Sequence, residues 1–537
     1  MFNIFLILSA AVIIMCVLVN KLSTKIGVPV LLAFIALGML FGSDGILKIP
    51  FENYGFAEQI CSGALIFIMF YGGFGTKLSA AKPVAARAVL LSSVGVVLTS
   101  ALTTVFCHFA LKINLLESML IGSVLSSTDA ASVFSILRSK SLNLKYNTAS
   151  ILEVESGSND PFAYMMTIIV LMIMQGAMSA GMVVYTVAAQ LILGLFFGFA
   201  LAFAALWFMK RFDFGNSGFE AAFVLGAAVL AFALPVQFGG NGYLSVYIVG
   251  IVLGNNDIKN KSSLVHFFDG VTGLMQMLIF FLLGLLSFPT RIFSVILPSA
   301  LIAVFLTFIA RPAAVGAVLA PFKPKLNQYA VISWSGLRGA ASIVFSIMAV
   351  VSGVTMENDV FHIVFCVVLF SILFQGTLLP LFAEKMNMID KTGSVLKTFN
   401  DYSDETEIAF IRITIGEGSV WADKAVKDIL LPPQMLLAVI EREGETIIPN
   451  GETVIKEGDA VILGAPSNED YGDVRFKEIA AGSRKNWRGK RLADINFPGS
   501  DLVIMIKRGN EVIIPEGSTV VEKNDELVMI SKQRTDR

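Results

Sequence analysis

The chain has 537 residues, of which 55% are hydrophobic and only 15% charged, with a formal net charge of −1 and a mean hydropathy of +0.75. Soluble proteins carry about 25% charged residues, so most of this chain is suited to lipid, and its near-neutral balance gives no reason to expect nucleic acid as a partner. The charge is unevenly placed: residues 1–385 are mostly apolar and residues 386–537 are rich in Glu, Lys, Asp and Arg, which implies two solvents. Cys16, Cys61, Cys107 and Cys366 lie in apolar segments without metal-ligand spacing and read as small buried hydrophobes. His108, His266 and His362 are scattered and support neither a metal site nor a catalytic triad. No Lys or Arg precedes Lys21, so the first segment lacks the basic start of a cleaved signal peptide and reads as a retained spanning helix.

Apolar windows of about 17–25 residues predict about thirteen spans. They are 3–20, 28–47, 57–75, 84–111, 115–138, 147–175, 181–209, 218–237, 241–255, 264–288, 290–320, 328–351 and 359–384, the ninth being short enough to tilt or lie partly in the interface. Basic residues cluster in alternate loops, for example Lys77, Lys82 and Arg87, then Lys210 and Arg211, then Lys323 and Lys325. The intervening loops hold only Lys48, Lys112 and Arg291. By the positive-inside rule this puts the N-terminus outside and the charged C-terminal part in the cytoplasm.

Two of the spans share a pattern. The fifth contains Ser127-Thr128-Asp129-Ala130-Ala131-Ser132, and the twelfth contains Gly336-Leu337-Arg338-Gly339-Ala340-Ala341-Ser342. Each places a charge just before an Ala-Ala-Ser run, and the odd offset between the spans predicts inverted-topology repeats meeting near the bilayer midplane. Runs of Ser, Gly and Ala allow close helix approach and suit a helix that unwinds toward an ion or water. Helix ends there contribute partial charges, positive at N-termini and negative at C-termini.

The sixth span carries Glu155-Ser156-Gly157-Ser158-Asn159-Asp160-Pro161. A carboxylate at that depth is disfavoured by about 2.5–3.5 kcal/mol and marks an ion path or proton relay. On helical spacing Ser156 and Asp160 share one face, and Glu155 and Asn159 share another. Pro161 removes a helical hydrogen bond beside them. Asp160 and Ser156 offer hard oxygen ligands for Na⁺ or K⁺, and Thr128 and Asp129 complete the set if the spans touch. Arg338 needs a partner at that depth; Glu155 is the first candidate and Glu153 the second.

The polar part repeats itself. Ile448-Pro449-Asn450-Gly451-Glu452-Thr453-Val454 recurs as Ile514-Pro515-Glu516-Gly517-Ser518-Thr519-Val520, and Trp421, Arg442 and Asp459 match Trp487, Arg508 and Asp525 at the same offset of 66 residues. Short alternating strands such as Leu436–Ile440 and Ala460–Leu463 predict two copies of a small α+β module, 403–468 and 469–537, joined to the membrane part by a polar connector, 386–402. Neither module has a Gly-rich dinucleotide fingerprint or a Walker A motif, so NAD and ATP are not expected.

The three membrane motifs together resemble the cation:proton antiporter family of NhaP type, most of all its bacterial potassium/proton members with a regulatory tail, and the tail modules resemble RCK_C (TrkA-C) domains. The resemblance implies an α-helical polytopic protein of NhaA-like antiporter fold with inverted repeats, acting as a homodimer in the cell membrane, and a transporter, not an enzyme. It implies that Asp160 binds cation and proton in turn, that Thr128, Asp129 and Ser156 assist, and that Glu155 and Arg338 form a structural ion pair. Asn159 takes the position of a second Asp in electrogenic relatives, which implies electroneutral exchange of K⁺, or else Na⁺, for H⁺. The family's Phe-acid-Gly-Gly run is here Phe70-Tyr71-Gly72-Gly73, so a third carboxylate is missing from that place. Relatives of the tail bind cyclic di-AMP at a dimer interface, which makes that ligand an expectation for this tail. A tail-gated potassium channel would need a run of filter carbonyls of the Thr-Val-Gly-Tyr-Gly kind, which the sequence lacks. A transporter of organic anions would use helix ends and Arg338 as its anion site.

Overall fold

The computed structural model describes residues 2–390 and 408–532, apart from 27–28, 140–141, 177–178, 213, 216, 259, 417–418, 420, 430, 432–434, 443–444, 467–473, 482–486, 488, 496–501, 509–510, 514 and 523–524. Most of the expected connector (391–402) and the expected module boundary at 468/469 lie outside the described residues. The chain divides into two compact units, Met1–Ser403 and Asp404–Arg537.

The first unit is helical. Eight of its helices are long and apolar enough to cross a membrane: α3 (Tyr54–Gly75), α4 (Lys82–Phe109), α7 (Thr148–Met174), α8 (Ala180–Arg211), α9 (Ser217–Gln237), α11 (Lys261–Leu286), α12 (Pro289–Phe322) and α15 (Val360–Lys385). Shorter apolar helices are α1 (Phe2–Ile26, apolar over Ser9–Ser23), α2 (Val30–Phe41), α5 (Leu115–Val124), α10 (Gly242–Gly254) and α14 (Ala340–Val351). Two further helices complete interrupted spans, α6 (Ala130–Ser139) and α13 (Leu326–Trp334). The expected continuous windows 115–138 and 328–351 are thus each broken in two, at 125–129 and 335–339. Both breaks fall on the Ser/Gly-rich motifs, where the small side chains leave room for irregular backbone inside the bundle.

Lipid-facing and core-facing sides are clear on α8. Ile192, Phe196, Phe199 and Phe203 are exposed, while Gly194, Gly198 and Ala202 pack inward. Without a hydrophobic drive between helices in lipid, close approach depends on small residues. Gly73 of α3 lies against the Tyr247 carbonyl of α10, and Gly250 of α10 against the Phe70 carbonyl. Gly38 of α2 and Gly284 of α11 meet in the same reciprocal way. The short ninth window is therefore a buried wedge, α10, whose start is capped by Asn241 accepting from the Leu244 amide at 3.0 Å.

A two-stranded antiparallel sheet closes one end of the bundle. Strand β1 (Asn143–Leu144) precedes α7, and β2 (Ile389–Asp390) follows α15; Asn143 pairs with Asp390 and Leu144 with Ile389. The Lys145 amide donates to the Met388 carbonyl at 2.8 Å, and Lys145 Nζ to the Asn387 carbonyl at 2.9 Å.

The second unit holds two four-stranded antiparallel sheets. In the first, β3 (Ile408–Thr414), β4 (Leu436–Arg442), β5 (Glu445–Ile447) and β6 (Ala460–Pro466) take the order β3-β6-β4-β5. In the second, β7 (Val474–Ala480), β8 (Leu502–Arg508), β9 (Glu511–Ile513) and β10 (Asp525–Lys532) take the matching order β7-β10-β8-β9. Alternation puts Leu437, Val461 and Leu463 into one core and Val503, Ile506 and Leu527 into the other. In each sheet an arginine grips a buried aspartate through two nitrogens. Arg442 donates to Asp459 at 2.7 and 2.8 Å, and Arg508 to Asp525 at 2.8 and 2.9 Å.

These arginine bonds hold the Asp459 and Asp525 carboxyls below the usual carboxylate range. A depressed carboxylate stabilises the fold above its unfolded pKa of about 3.9, and that stability is lost as pH falls through the lower folded value. The protection of β6 and β10 amides, taken relative to their intrinsic exchange rates, is expected to fall below about pH 4 and to stay flat from pH 5 to 8. Arg442→Ala at pH 7 is expected to destabilise its sheet by about 2–3 kcal/mol, read from the same exchange rates.

Candidate ion-binding site

The two breaks meet. The Asp129 amide donates to the Leu337 carbonyl at 2.8 Å, so irregular backbone from one interruption satisfies the other. Arg338 Nη1 donates to the carbonyls of Ser126 at 3.1 Å and Ser127 at 2.8 Å, just beyond the C-terminal end of α5. The Arg338 amide donates to Ser371 Oγ at 3.0 Å, and Gln375 Nε2 donates to the Trp334 carbonyl at 2.6 Å. Ser371 and Gln375 sit in a stretch of α15 with i→i+5 bonding, Ser371–Gly376, which turns both side chains toward the break. Helix ends leave unpaired donors and acceptors, and here protein groups fill those roles where water is excluded.

Alongside the crossing runs α7. Asp160 is 6% exposed and accepts a hydrogen bond at Oδ1 from Ser127 Oγ. Ser156 Oγ and Thr128 Oγ1 share a hydrogen bond at 2.9 Å. Asp129 caps α6, accepting from the Ser132 amide at 3.2 Å, and its carboxylate also lies against Gly339 at the start of α14. Its negative charge therefore faces the positive ends of two helices. A cavity of about 380 Å³ reaches this group of oxygens, lined here by Ser127, Thr128, Asp129, Ser156 and Asp160. Tyr71 of α3 and Asp269 of α11 also line it, and the Tyr71 phenol donates to Asp269 at 3.1 Å.

Four of the five expected binding residues, Asp160, Asp129, Thr128 and Ser156, come together on this cavity. Asn159 stands one layer behind: its Nδ2 donates to Thr128 Oγ1 at 2.5 Å and holds the threonine hydroxyl in place. The expected pairing of Glu155 with Arg338 is not formed. Glu155 pairs with Arg311 of α12, Oε1 to Nη2 at 2.5 Å, both groups being almost fully buried. The reason lies in the faces of α7. Ser156 and Asp160 take the cavity side, so Glu155 looks the other way, toward α12, where Gly336 leaves room for the Arg311 guanidinium. Arg338 is drawn instead to the carbonyls that the break exposes. Glu153, the second candidate for Arg338, lines the cavity.

Sequence reasoning passed over Arg311, Ser127, Asn241 and Asp269. Arg311 carries the same signal as Arg338, a cation within an apolar span, and was legible by that rule. Asn241 Nδ2 donates to the Pro161 carbonyl at 2.8 Å and ties α10 to α7 one residue after Asp160; an Asn at a helix start has many bland uses and gives no such signal.

A bundle faced with apolar side chains, two interrupted helices crossing inside it, and a buried carboxylate at the crossing reached by a cavity that several side-chain oxygens line define a multi-pass membrane transporter of the secondary type. The chain belongs to the sodium/hydrogen exchanger family: residues 8–385 match its transmembrane model, and residues 410–470 and 477–535 match the TrkA-C domain. It is a cation:proton antiporter, not an enzyme. Among curated relatives, a K(+)/H(+) antiporter NhaP of Alkalimonas amylolytica is 31% identical over 83% of this chain and 78% of its own. A K(+)/H(+) antiporter NhaP2 of Shewanella sp. (strain MR-4) is 31% identical over 83% of this chain and 79% of its own. In fold the chain is similar to the sodium proton antiporter MjNhaP1 from Methanocaldococcus jannaschii, with a TM-score of 0.62, 22% identity, and cover of 70% of this chain and 97% of that one.

Removing Arg311 strands Glu155 as an unpaired buried charge, whereas removing Arg338 strands neutral carbonyls. Arg311→Ala is expected to cost about 3–5 kcal/mol and Arg338→Ala about 1–3 kcal/mol. Thermal unfolding of the two purified variants in detergent checks the order. Gly339→Ala is expected to fold and to lose most transport, because a Cβ there overlaps the Asp129 carboxylate; vesicle flux alongside a melting curve tests it.

Proposed function

We propose that this antiporter exchanges K⁺, ahead of Na⁺, for H⁺ one for one at Asp160. The observation that carries the reading is the placement of Asp160 at the crossing, with the oxygens of Ser127, Thr128 and Ser156 around it on a cavity open to polar groups. A carboxylate and hydroxyls are hard ligands suited to an alkali cation. The tail-bearing relatives named K(+)/H(+) antiporters favour K⁺ as the cation.

One carboxylate holds a proton or a cation, not both, so competition for Asp160 couples the two fluxes. Three of the other charges are matched within the protein, Asp129 by two helix N-termini, Glu155 by Arg311, and Arg338 by carbonyls, and Glu153 is a further carboxylate on the cavity. Either load leaves Asp160 neutral, and the bare anion is the form that a low-dielectric barrier rejects. A net charge moved across 100 mV is worth about 2.3 kcal/mol; one-for-one exchange escapes that bias.

Counting each broken pair as one crossing, the helices form thirteen spans, and an inverted repeat relates spans seven apart. The fifth and twelfth spans are both interrupted, and the fourth and eleventh both contain an i→i+5 stretch, Leu91–Gly95 and Leu306–Ala310. The glycine contacts of α2 with α11 and α3 with α10 exchange under the same operation. The loop charges favour an external N-terminus and a cytoplasmic tail. The tail modules then regulate exchange from inside the cell, in a homodimer within the cell membrane, with cyclic di-AMP as the candidate ligand.

In proteoliposomes with a pH-sensitive dye, K⁺ addition is expected to drive proton flux in wild-type protein and none in Asp160→Asn. Lowering the pH is expected to raise the K⁺ concentration for half-maximal exchange. No current is expected on solid-supported membranes; a current that scales with the exchange rate rejects the one-for-one scheme.

A further inference from the structure

The α11 residues that line the cavity carry chemistry that exchange at Asp160 does not use. We propose that the face of α11 bearing Asp269, Thr272 and Gln276 is a second cation-binding site, an outer station where a partly hydrated alkali cation is held before it reaches Asp160. The inference rests on the exchange reading above and adds a site to it.

Spacings of three and four residues put Asp269, Thr272 and Gln276 on one side of α11, and all three line the same cavity as Asp160. Phe268 and Ile279, which flank Thr272 on the helix surface, are fully buried in the bundle. The two carboxylates differ in access: Asp269 is exposed, and Asp160 is almost wholly enclosed.

The second observation is Thr272. A threonine buried in a helix commonly turns its hydroxyl back to the preceding turn. In this protein Thr99 bonds the Gly95 carbonyl at 2.7 Å, Thr103 the Thr99 carbonyl at 2.7 Å, and Thr167 the Ala163 carbonyl at 2.8 Å. Thr272 is 8% exposed, yet its Oγ1 has no hydrogen-bond partner and lies on the cavity. A buried polar atom left without a partner is destabilising. A cation or its water at this place removes that cost.

Tyr71 supplies the third piece. It occupies the position where the sequence lacks the expected acid, and its phenol donates to Asp269 Oδ1. The carboxylate absent from α3 is thus provided by α11, and Tyr71 positions it. Carboxylate, hydroxyl and amide oxygens together suit a monovalent alkali cation, and the negative charge of Asp269 disfavours an anion. A carboxylate at a cavity mouth concentrates cations and raises their rate of entry by roughly 10–10³-fold.

The test is K⁺-driven proton flux by the full-length protein in proteoliposomes, with melting curves to show folding. Asp269→Asn is expected to raise the half-maximal K⁺ concentration about fivefold and Thr272→Val about threefold, the size of one lost oxygen contact. Thr272→Ser and Asp269→Glu are expected to restore values near wild type, which a merely structural role for the α11 face does not predict. Tyr71→Phe, which keeps the ring and loses the hydrogen bond, is expected to shift the same parameter by about twofold. If Asp269→Asn does not fold, Thr272→Val and Tyr71→Phe decide. Folded variants with an unshifted half-maximal concentration overturn the outer station while leaving exchange at Asp160 standing. Absence of K⁺- or Na⁺-driven flux in wild type overturns the exchange reading itself.

Discussion

Main-chain groups released from a helix inside hydrocarbon must find partners in the protein, because no water is there to take them. The two interruptions meet that demand mutually. The amide of Asp129 serves the carbonyl of Leu337, Arg338 serves the carbonyls of Ser126 and Ser127, and Gln375 serves Trp334. Because backbone and amide groups absorb these bonds, the side chains of Ser127, Thr128, Ser156 and Asp160 face the cavity. An open helix end and a usable oxygen cluster are two aspects of one arrangement.

Charge follows the same geometry. The acidic residue at the crossing sits where two helices begin, and the basic one sits where a helix has just ended, so each meets a partial charge of opposite sign. Glu155 lies outside this pattern and has Arg311 for itself. What remains variable is Asp160. A transporter whose fixed charges are matched locally can change the load of one group without disturbing the rest.

The spans were legible because length and hydropathy are set by the bilayer, and every expected window contains helix. The breaks were legible too, since Ser/Gly/Ala runs beside a charge are unusual in a lipid-facing helix. Helical periodicity separated Ser156 and Asp160 from Glu155 and Asn159. Partner choice was not legible. Glu155 had two arginines within reach of the argument, and only the packing of α12 against α7 selects Arg311. The role of Asn159 behind Thr128 is a matter of depth, which periodicity does not encode. Asp269 sits in a helix whose polar residues read like any loop-proximal turn until the fold places it on the same cavity as Asp160. In the tail the sequence matched Arg442 with Arg508 and Asp459 with Asp525, but only the sheet register reveals that each arginine grips the aspartate of its own module.

The small ladder between Asn143–Leu144 and Ile389–Asp390 has a mechanical corollary. Leu144 lies four residues before the start of α7, and Asp390 is the last described residue before the stretch leading to the tail. The ladder holds the root of the helix that carries Asp160 to the end of α15, so these two ends cannot part without breaking its hydrogen bonds, the Lys145–Met388 and Lys145–Asn387 bonds among them.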